Sequence, residues 1–190
     1  MPQLHSSLTR AVIRWKPLLR LPRSQRPPTA LYPWLADKGS LTARLVDLSQ
    51  GQFKVEILRQ YLGKASRNEQ GALGIGRQEL CLIREVILWG KGEAWIFARS
   101  LLPLRSLTGK LRHLRKQDQS PLGAFLFSQP QLARSPIAVA PINAQDQYFP
   151  SELALTKPLW GRRSIFYLAA KPLLVSEVFL PALCARIAHS

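Results

Sequence analysis

Alternating apolar and polar positions are clearest in the middle of the chain, at residues 80–103. This stretch, LCLIREVILWGKGEAWIFARSLLP, holds two strand-like runs on either side of Gly90-Lys91-Gly92-Glu93, which predicts a β-hairpin. A second hairpin is predicted near the C-terminus, where RRSIFYLA leads through a turn at residues 170–172 into LLVSEVFLP. Residues 53–63 are also strand-like, although their alternation is imperfect.

The predicted helices are short. Residues 31–49 predict two helical pieces, with Ser40 as the N-cap of the second. Ser120 and Pro121 suit the N-cap and the first position of a further helix, and residues 106–117 predict a basic helical segment or a long turn. Because strands joined by tight turns pair antiparallel, the predicted fold class is α+β, an antiparallel β-sheet that carries short helices on one side.

Length and composition fit one globular domain of 190 residues, with 46% hydrophobic and 20% charged residues. The net charge of +16 attracts anions, whether nucleic acid, anionic lipid head groups or small polycarboxylates. Basic residues dominate the start, where no acid precedes Asp37. We therefore expect a poorly ordered basic N-terminal extension at residues 1–28 and a single domain at residues 29–190.

That basic start lacks an apolar h-region, so it is not a secretory signal; a transit peptide and a solvated extension both fit, and we expect the extension. Cys81 and Cys184 predict no disulfide or metal framework, and the three histidines (His5, His113 and His189) recur at no metal-ligand spacing. No window of 18 apolar residues occurs, so no membrane span is predicted.

Three charged residues, Arg84, Arg99 and Glu177, lie in strand phase with apolar neighbours. Burial of an ionised carboxylate costs several kcal/mol unless a partner compensates it. One interpretation is cross-strand ion pairing, of Arg84 with Glu177 or of Glu85 with an arginine. The other is an apolar ligand pocket, in which an arginine binds a carboxylate and the glutamate binds a hydroxyl or moves a proton. The pattern alone leaves both open.

Several segments, in order, resemble the chorismate pyruvate-lyase (chorismate lyase) family. They are REVILWGKGEAWIFARSLLP, SPLGAFLF, LWGRRSIFYLAAKPLLVSEVFLP and, more weakly, GSLTARL, and they run from about residue 31 to 182. The resemblance implies conversion of chorismate to 4-hydroxybenzoate and pyruvate, the first committed step of ubiquinone synthesis. It also implies a cytoplasmic monomer that needs no cofactor or metal, with helical flaps over a buried pocket.

The resemblance assigns roles by position. Arg84 matches the arginine that binds the ring carboxylate, and Leu122 matches the residue whose backbone N–H assists it. Glu177 matches the glutamate at the ring hydroxyl, which makes Arg84 and Glu177 the expected catalytic pair. Leu41 stands where the family often has methionine over the ligand, a volume-conserving change. Arg99 matches a second arginine near the entrance, where we expect it to meet the enolpyruvyl carboxylate.

The chain departs from the family pattern in two respects, and two other functions are to be weighed against it. Ala98 stands where the family resemblance leads us to expect glycine, and the basic extension has no recognised counterpart. A non-catalytic module that binds small carboxylates on the same fold is the alternative function. Nucleic-acid binding through residues 109–117 is not expected, because no recognised motif occurs and aromatic residues are not interleaved with the basic ones.

Overall fold

A computed structural model of the chain describes residues 13–115, 121–143, 146, 148, 153 and 157–189. Within this part of the chain, eight strands form one antiparallel sheet in the order β1-β6-β7-β8-β4-β3-β2, with β5 paired to β7. The strands are β1 Lys16–Pro17, β2 Phe53–Lys64, β3 Leu80–Gly90, β4 Glu93–Pro103, β5 Ala133–Arg134, β6 Ala138–Ile142, β7 Leu159–Leu168 and β8 Lys171–Phe179.

In the described residues five short α-helices accompany the sheet, which confirms the predicted α+β class. They are α1 Tyr32–Leu35, α2 Leu41–Ser49, α3 Arg67–Leu73, α4 Leu122–Phe127 and α5 Pro181–Ala188. Helix α3 packs on the opposite face of the sheet from α1, α2 and α4, so the expectation that all helices lie on one side was wrong. Short 3₁₀ helices occur at Leu18–Arg20, Arg23–Gln25 and Leu104–Ser106, and a longer one at Gly109–Arg115. No helix in the described residues is long and apolar enough to cross a membrane.

Both predicted hairpins form, β3–β4 and β7–β8. The first turns at Lys91 and Gly92, whose φ angles of 53° and 77° are both left-handed, as a two-residue hairpin turn requires. The second turns at Ala169 and Ala170, with φ of 51° and 60°, so the predicted turn at residues 170–172 lies too far along the chain. Proline fixes φ near −65° and cannot supply such a turn residue, so Pro172 belongs to β8 instead.

Local signals explain the helix boundaries. Ser40 caps α2 as predicted, because its Oγ accepts a hydrogen bond of 3.2 Å from the Ala43 N–H. Pro121 is the N-cap of α4 rather than its first residue, and Ser120 lies outside the described residues. The prediction missed α3 and α5. The start of α3 is a capping box between Ser66 and Glu69, a signal that the sequence does contain.

Part of the predicted N-terminal extension packs on the domain. Strand β1 pairs with β6 at the sheet edge, and Leu18 and Leu21 are buried in the same apolar cluster as Leu35 and Leu45. Residues 1–12 of that prediction lie outside the described residues. From Leu18 onward, therefore, this basic segment contributes apolar side chains to the core.

The strand register divides the charged residues between two faces of the sheet. Arg84, Arg162 and Glu177 lie on the face covered by α1, α2 and α4, which we call the site face. Glu85 pairs across the strands with Arg99, and both lie on the opposite face beside α3, which we call the α3 face. The sheet therefore separates two sets of acidic and basic side chains.

Candidate active site

A largely apolar cavity lies between the site face and helices α2 and α4. Its polar side chains include Arg84 and Glu177, which matches the usual make-up of a small-ligand site. Helix α2 and the segment before it from α1, residues 32–49, form the first flap, and α4 with Pro121 forms the second flap. The apolar wall comes from both the sheet and the flaps, with Val55, Val86, Leu88, Ala98, Phe166 and Val175 from the strands and Leu41, Leu122, Leu126 and Phe127 from the flaps.

Arg84 and Glu177 are separated by one strand. Arg84 lies on β3 and Glu177 on β8, with β4 between them, so about 10 Å separates their strands. On β4 the intervening positions are Ala98 and Ser100, paired with Glu177 and Arg84 respectively. Since both intervening side chains are small, space remains between the buried guanidinium and the carboxylate.

Glu177 has a cationic partner that the sequence interpretation missed. Arg162 lies directly opposite on β7, and its Nε donates to Glu177 Oε2 at 2.6 Å. The Arg162 side chain is 1% exposed, while that of Glu177 is 18% exposed and lines the cavity. The ion pair compensates the half-buried carboxylate, so the cross-strand interpretation holds for Glu177 with a different arginine, and Glu177 still lines the cavity.

Leu41 and Leu122 bring the two flaps together over the cavity. Leu41 is the first residue of α2 and Leu122 the first of α4, and both line the cavity. The flaps are in close contact, because a Cβ added to Gly123 would lie 2.7 Å from Thr42 Oγ1. The Leu122 N–H is in the first helical turn, where no intrahelical acceptor exists, so it is suited to bind a ligand oxygen.

Arg99 is not brought to this cavity. On the α3 face its Nε donates to Glu69 Oε1 at 2.9 Å, and its Nη1 donates to Glu85. Burial raises the pKa of Glu69, but the hydrogen bond and the charge of Arg99 outweigh it and hold that pKa below its usual value. Arg99 therefore belongs to a structural ion-pair network that includes Arg59. This network contains the pairing of Glu85 with an arginine that the sequence analysis gave as one interpretation of the charged strand residues.

A β-bulge explains the position of Arg99. Next to the turn, Gly90 pairs with Glu93 and Trp89 with Ala94. If this register continued along the hairpin, Arg99 would lie directly opposite Arg84 on the site face. The register shifts between Leu88 and Trp89, which leaves Trp95 as one extra residue on β4. Beyond it every β4 side chain is on the opposite face from the one that the unshifted register would give.

The ring of this extra residue, Trp95, is buried and occupies the space beside Gly90. A Cβ added to Gly90 would lie 2.1 Å from a ring atom, so the ring fits here because residue 90 is glycine.

Arg134 is a second arginine that the sequence interpretation missed. It lies on β5, and its Nε donates to Ser164 Oγ at 3.0 Å, while its Nη1 donates to the Lys38 carbonyl at 3.0 Å. Burial, with the nearby charge of Arg162, lowers the pKa of Arg134 to about 10. The site face thus holds a pair of neighbouring arginines behind the first flap, in addition to Arg84.

Solved structures show the same fold at low sequence identity. The effector domain of PhnF from Mycobacterium smegmatis has a TM-score of 0.54 and 16% identity, with 76% of this chain and 90% of that chain covered. A structure of PhnF itself also gives 0.54 and 16%, with 77% and 65% covered. This likeness concerns the fold alone.

Sequence comparisons identify the family. The chorismate lyase family model matches residues 14–188. A protein of Azoarcus sp. strain BH72 named probable chorismate pyruvate-lyase is 45% identical, with 83% of this chain and 89% of the relative covered. A protein of the same name from Aromatoleum aromaticum is 40% identical, with 87% and 92% covered. The chain therefore belongs to the chorismate lyase family.

Proposed function

We propose that this chain converts chorismate into 4-hydroxybenzoate and pyruvate. The observation that carries the proposal is the placement of Arg84 and Glu177 on either side of β4, facing one apolar cavity. Chorismate has a carboxylate and a hydroxyl at opposite ends of its ring, and it needs a cation at one end and an acceptor at the other. Relatives named for chorismate pyruvate-lyase activity over most of the chain support the same function.

In this proposal Arg84 binds the ring carboxylate, with the Leu122 N–H as a second donor. A planar guanidinium donates two parallel hydrogen bonds to a carboxylate, so it fixes both the position and the rotation of the ring. Leu41 and the other apolar residues of the flaps exclude water above the ring. Held in this way, the substrate is confined to a reactive conformer.

Glu177 accepts a hydrogen bond from the ring hydroxyl. Its ion pair with Arg162 holds the carboxylate in place beside the cavity, where a carboxylate oxygen can accept this bond. The reaction breaks the ether C–O bond, and the hydrogen on the hydroxyl-bearing carbon leaves as the ring becomes aromatic. Transfer of this hydrogen to the methylene carbon of the departing enolpyruvyl group yields pyruvate, and Glu177 then only orients the substrate.

The test is an assay of the purified chain with chorismate that follows 4-hydroxybenzoate and pyruvate separately. We expect equal amounts of both products, and loss of both in Glu177→Ala, because the hydroxyl then lacks its acceptor. Arg163→Gln is the matched control, since Arg163 is the next residue along β7 from Arg162 and faces away from the cavity. Absence of both products with the wild-type chain would contradict the proposal.

A non-catalytic carboxylate-binding module is the second candidate. The likeness in fold to the effector domain of PhnF is the observation that favours it. In that case 4-hydroxybenzoate would bind tightly to the chain, as measured by calorimetry, without any turnover of chorismate. Turnover at any rate that Glu177→Ala abolishes would exclude it.

We propose further that product release is slow, because flat 4-hydroxybenzoate fits the same covered cavity as the substrate. The expected result is an inhibition constant for 4-hydroxybenzoate at or below the Michaelis constant for chorismate, measured from steady-state rates with added product. A much larger inhibition constant would contradict this. On family resemblance we also propose a cytoplasmic monomer that acts at the first committed step of ubiquinone synthesis.

A further inference from the structure

Two arginines of the site face, the buried Arg162 and the half-buried Arg134, bind the backbone of the first flap. Besides Glu177, Arg162 has two acceptors there, because its Nη1 donates to the Trp34 carbonyl at 2.8 Å and to the Asp37 carbonyl at 2.9 Å. A single guanidinium therefore contacts both the proposed hydroxyl-binding carboxylate and the loop between α1 and α2.

Arg134 makes a parallel set of contacts. Its Nη1 donates to the Lys38 carbonyl at 3.0 Å and lies 3.5 Å from the Asp37 carbonyl. Its guanidinium also lies 4.9 Å from the ring centroid of Phe166 on the sheet and 6.0 Å from that of Phe127 in the second flap. Arg134 thus contacts the sheet and both flaps.

The accepting carbonyls lie at and just beyond the C-terminal end of α1, where a helix leaves carbonyl groups without an intrahelical donor. Arg44, by contrast, binds only within the first flap, at the Pro33 carbonyl and the Asp37 carboxylate. Arg162 and Arg134 therefore provide the hydrogen bonds that join this loop to the sheet in the described part of the chain.

We propose that Arg162 and Arg134 are positioning residues that link closure of the first flap to the orientation of Glu177. In the closed arrangement, carbonyls of the first flap accept hydrogen bonds from both guanidinium groups. These bonds fix the orientation of Arg162, which in turn holds the Glu177 carboxylate. The kinetic part of this inference rests on the proposed function, whereas the structural part does not.

Opening of the first flap would remove two of the three acceptors of Arg162 and the carbonyl acceptors of Arg134. Two neighbouring cations would then be left with Glu177 and Ser164 as their partners inside the sheet. Opening would exchange these charge-assisted hydrogen bonds for bonds to water, at a net cost for each bond, so the closed state is favoured. Ligand exchange and carboxylate orientation are coupled as a result.

Hydrogen exchange of the ligand-free chain tests the coupling without any assumption about the substrate. In Arg134→Gln we expect the amides of α2 to exchange about tenfold faster, since hydrogen bonds to a charged group are lost. Arg163→Gln, at the opposite face of β7, should leave α2 exchange unchanged, with urea unfolding of each variant as the correction for global stability. Unchanged α2 exchange in both Arg134→Gln and Arg162→Lys would overturn the proposal.

Transient kinetics separate positioning from general loss of structure. Arg162→Lys keeps the positive charge but cannot donate in one plane to three acceptors, so we expect faster 4-hydroxybenzoate dissociation and a lower single-turnover rate. Arg134→Gln should speed dissociation by about tenfold, with a smaller effect on single turnover than Arg162→Lys. Unaltered dissociation in both variants would overturn the coupling. A wild-type chain without turnover would contradict the proposed function alone, since the exchange result still decides the role of the arginines.

Discussion

The two faces of the sheet carry the same kinds of charged residue but use them differently. On the α3 face, Arg99 is in direct contact with Glu69 and Glu85, so the charges satisfy one another. On the site face, Arg84 and Glu177 are separated by β4 and both border a cavity. Glu177 is also paired directly with Arg162, so the site face differs in having a second cation, Arg84, that is held apart from this ion pair across β4.

Small side chains create that separation. Ala98 and Ser100 occupy β4 between the two charged residues of the site face, whereas on the α3 face Arg99 itself occupies β4 directly opposite Glu85. A long cation on the central strand brings the charges of the α3 face into contact, although a more polar cavity also borders Arg99 there. On the site face, two short side chains keep Arg84 and Glu177 apart. The predictions below test this difference.

The largest effect is expected from Arg84→Ala. Removal of one partner of a buried charged contact costs about 2–5 kcal/mol, so kcat/KM for chorismate should fall by roughly two to three orders of magnitude. Steady-state kinetics measure this, with urea unfolding as the check that the variant is folded. A loss of less than tenfold in a folded variant would show that Arg84 does not bind the substrate carboxylate.

Arg99→Ala should instead affect stability. It leaves Glu69 and Glu85 buried beside fewer cations, which costs about 3–5 kcal/mol of unfolding free energy. Urea unfolding measures that loss, and kcat/KM per folded molecule should stay within about threefold of wild type, since Arg99 does not line the cavity. Unchanged stability with a large loss of kcat/KM would restore the role at the entrance that the sequence predicts for Arg99.

Acid should weaken the α3 face through Glu69. Its folded pKa is below the ordinary value of 4.5, so the stability that it contributes is complete above pH 4.5 and is lost as pH falls through the folded pKa. In Glu69→Gln the free energy of unfolding should therefore fall less steeply below pH 4.5 than in wild type. Urea unfolding at a series of pH values measures both slopes, and parallel slopes would exclude Glu69 as a source of the acid sensitivity.

The smallest effect is expected from Leu41→Met, which changes the apolar cover of the site face at nearly constant volume. Such swaps usually cost less than about 1.5 kcal/mol, so both unfolding free energy and kcat/KM should change little. Thermal unfolding and steady-state kinetics measure these quantities. A loss of kcat/KM beyond about tenfold would show that the shape of residue 41 matters more than its volume.

Local pattern was enough to predict five of the eight described strands, both hairpins and the cap at Ser40, because each depends on neighbouring residues, whereas β1, β5 and β6 were missed. The Ala169-Ala170 turn was placed wrongly because alanine gives no turn signal, and α3 was missed although its capping box is present in the sequence. These errors concern single elements and left the fold class intact.

The site was less accessible to sequence reasoning, because it depends on which strands are neighbours. Arg162 and Arg163 are adjacent in sequence, and only the pairing of β7 with β8 shows that Arg162 faces Glu177. Arg134 lies in a two-residue strand that has no periodicity of its own. The resemblance led us to expect Arg99 near the entrance, and nothing in the alternation revealed the extra residue on β4 that places it on the α3 face.

Because Trp95 is an extra residue on β4, the bulge that accommodates it decides which β4 side chains line the cavity, and this matters for pocket redesign and for evolution by insertion or deletion. Loss of this bulge with Trp95 retained in the strand would extend the register beside the turn along the whole of β4. Side chains of β4 that now lie on the site face would then lie on the α3 face, and the reverse. The cavity would then receive Arg99 in place of the Ser100 hydroxyl, opposite Arg84, and Phe97 in place of the Ala98 methyl group. A change in register by one residue, without any substitution inside the pocket, would therefore change both the charge and the volume of the space that a ligand meets.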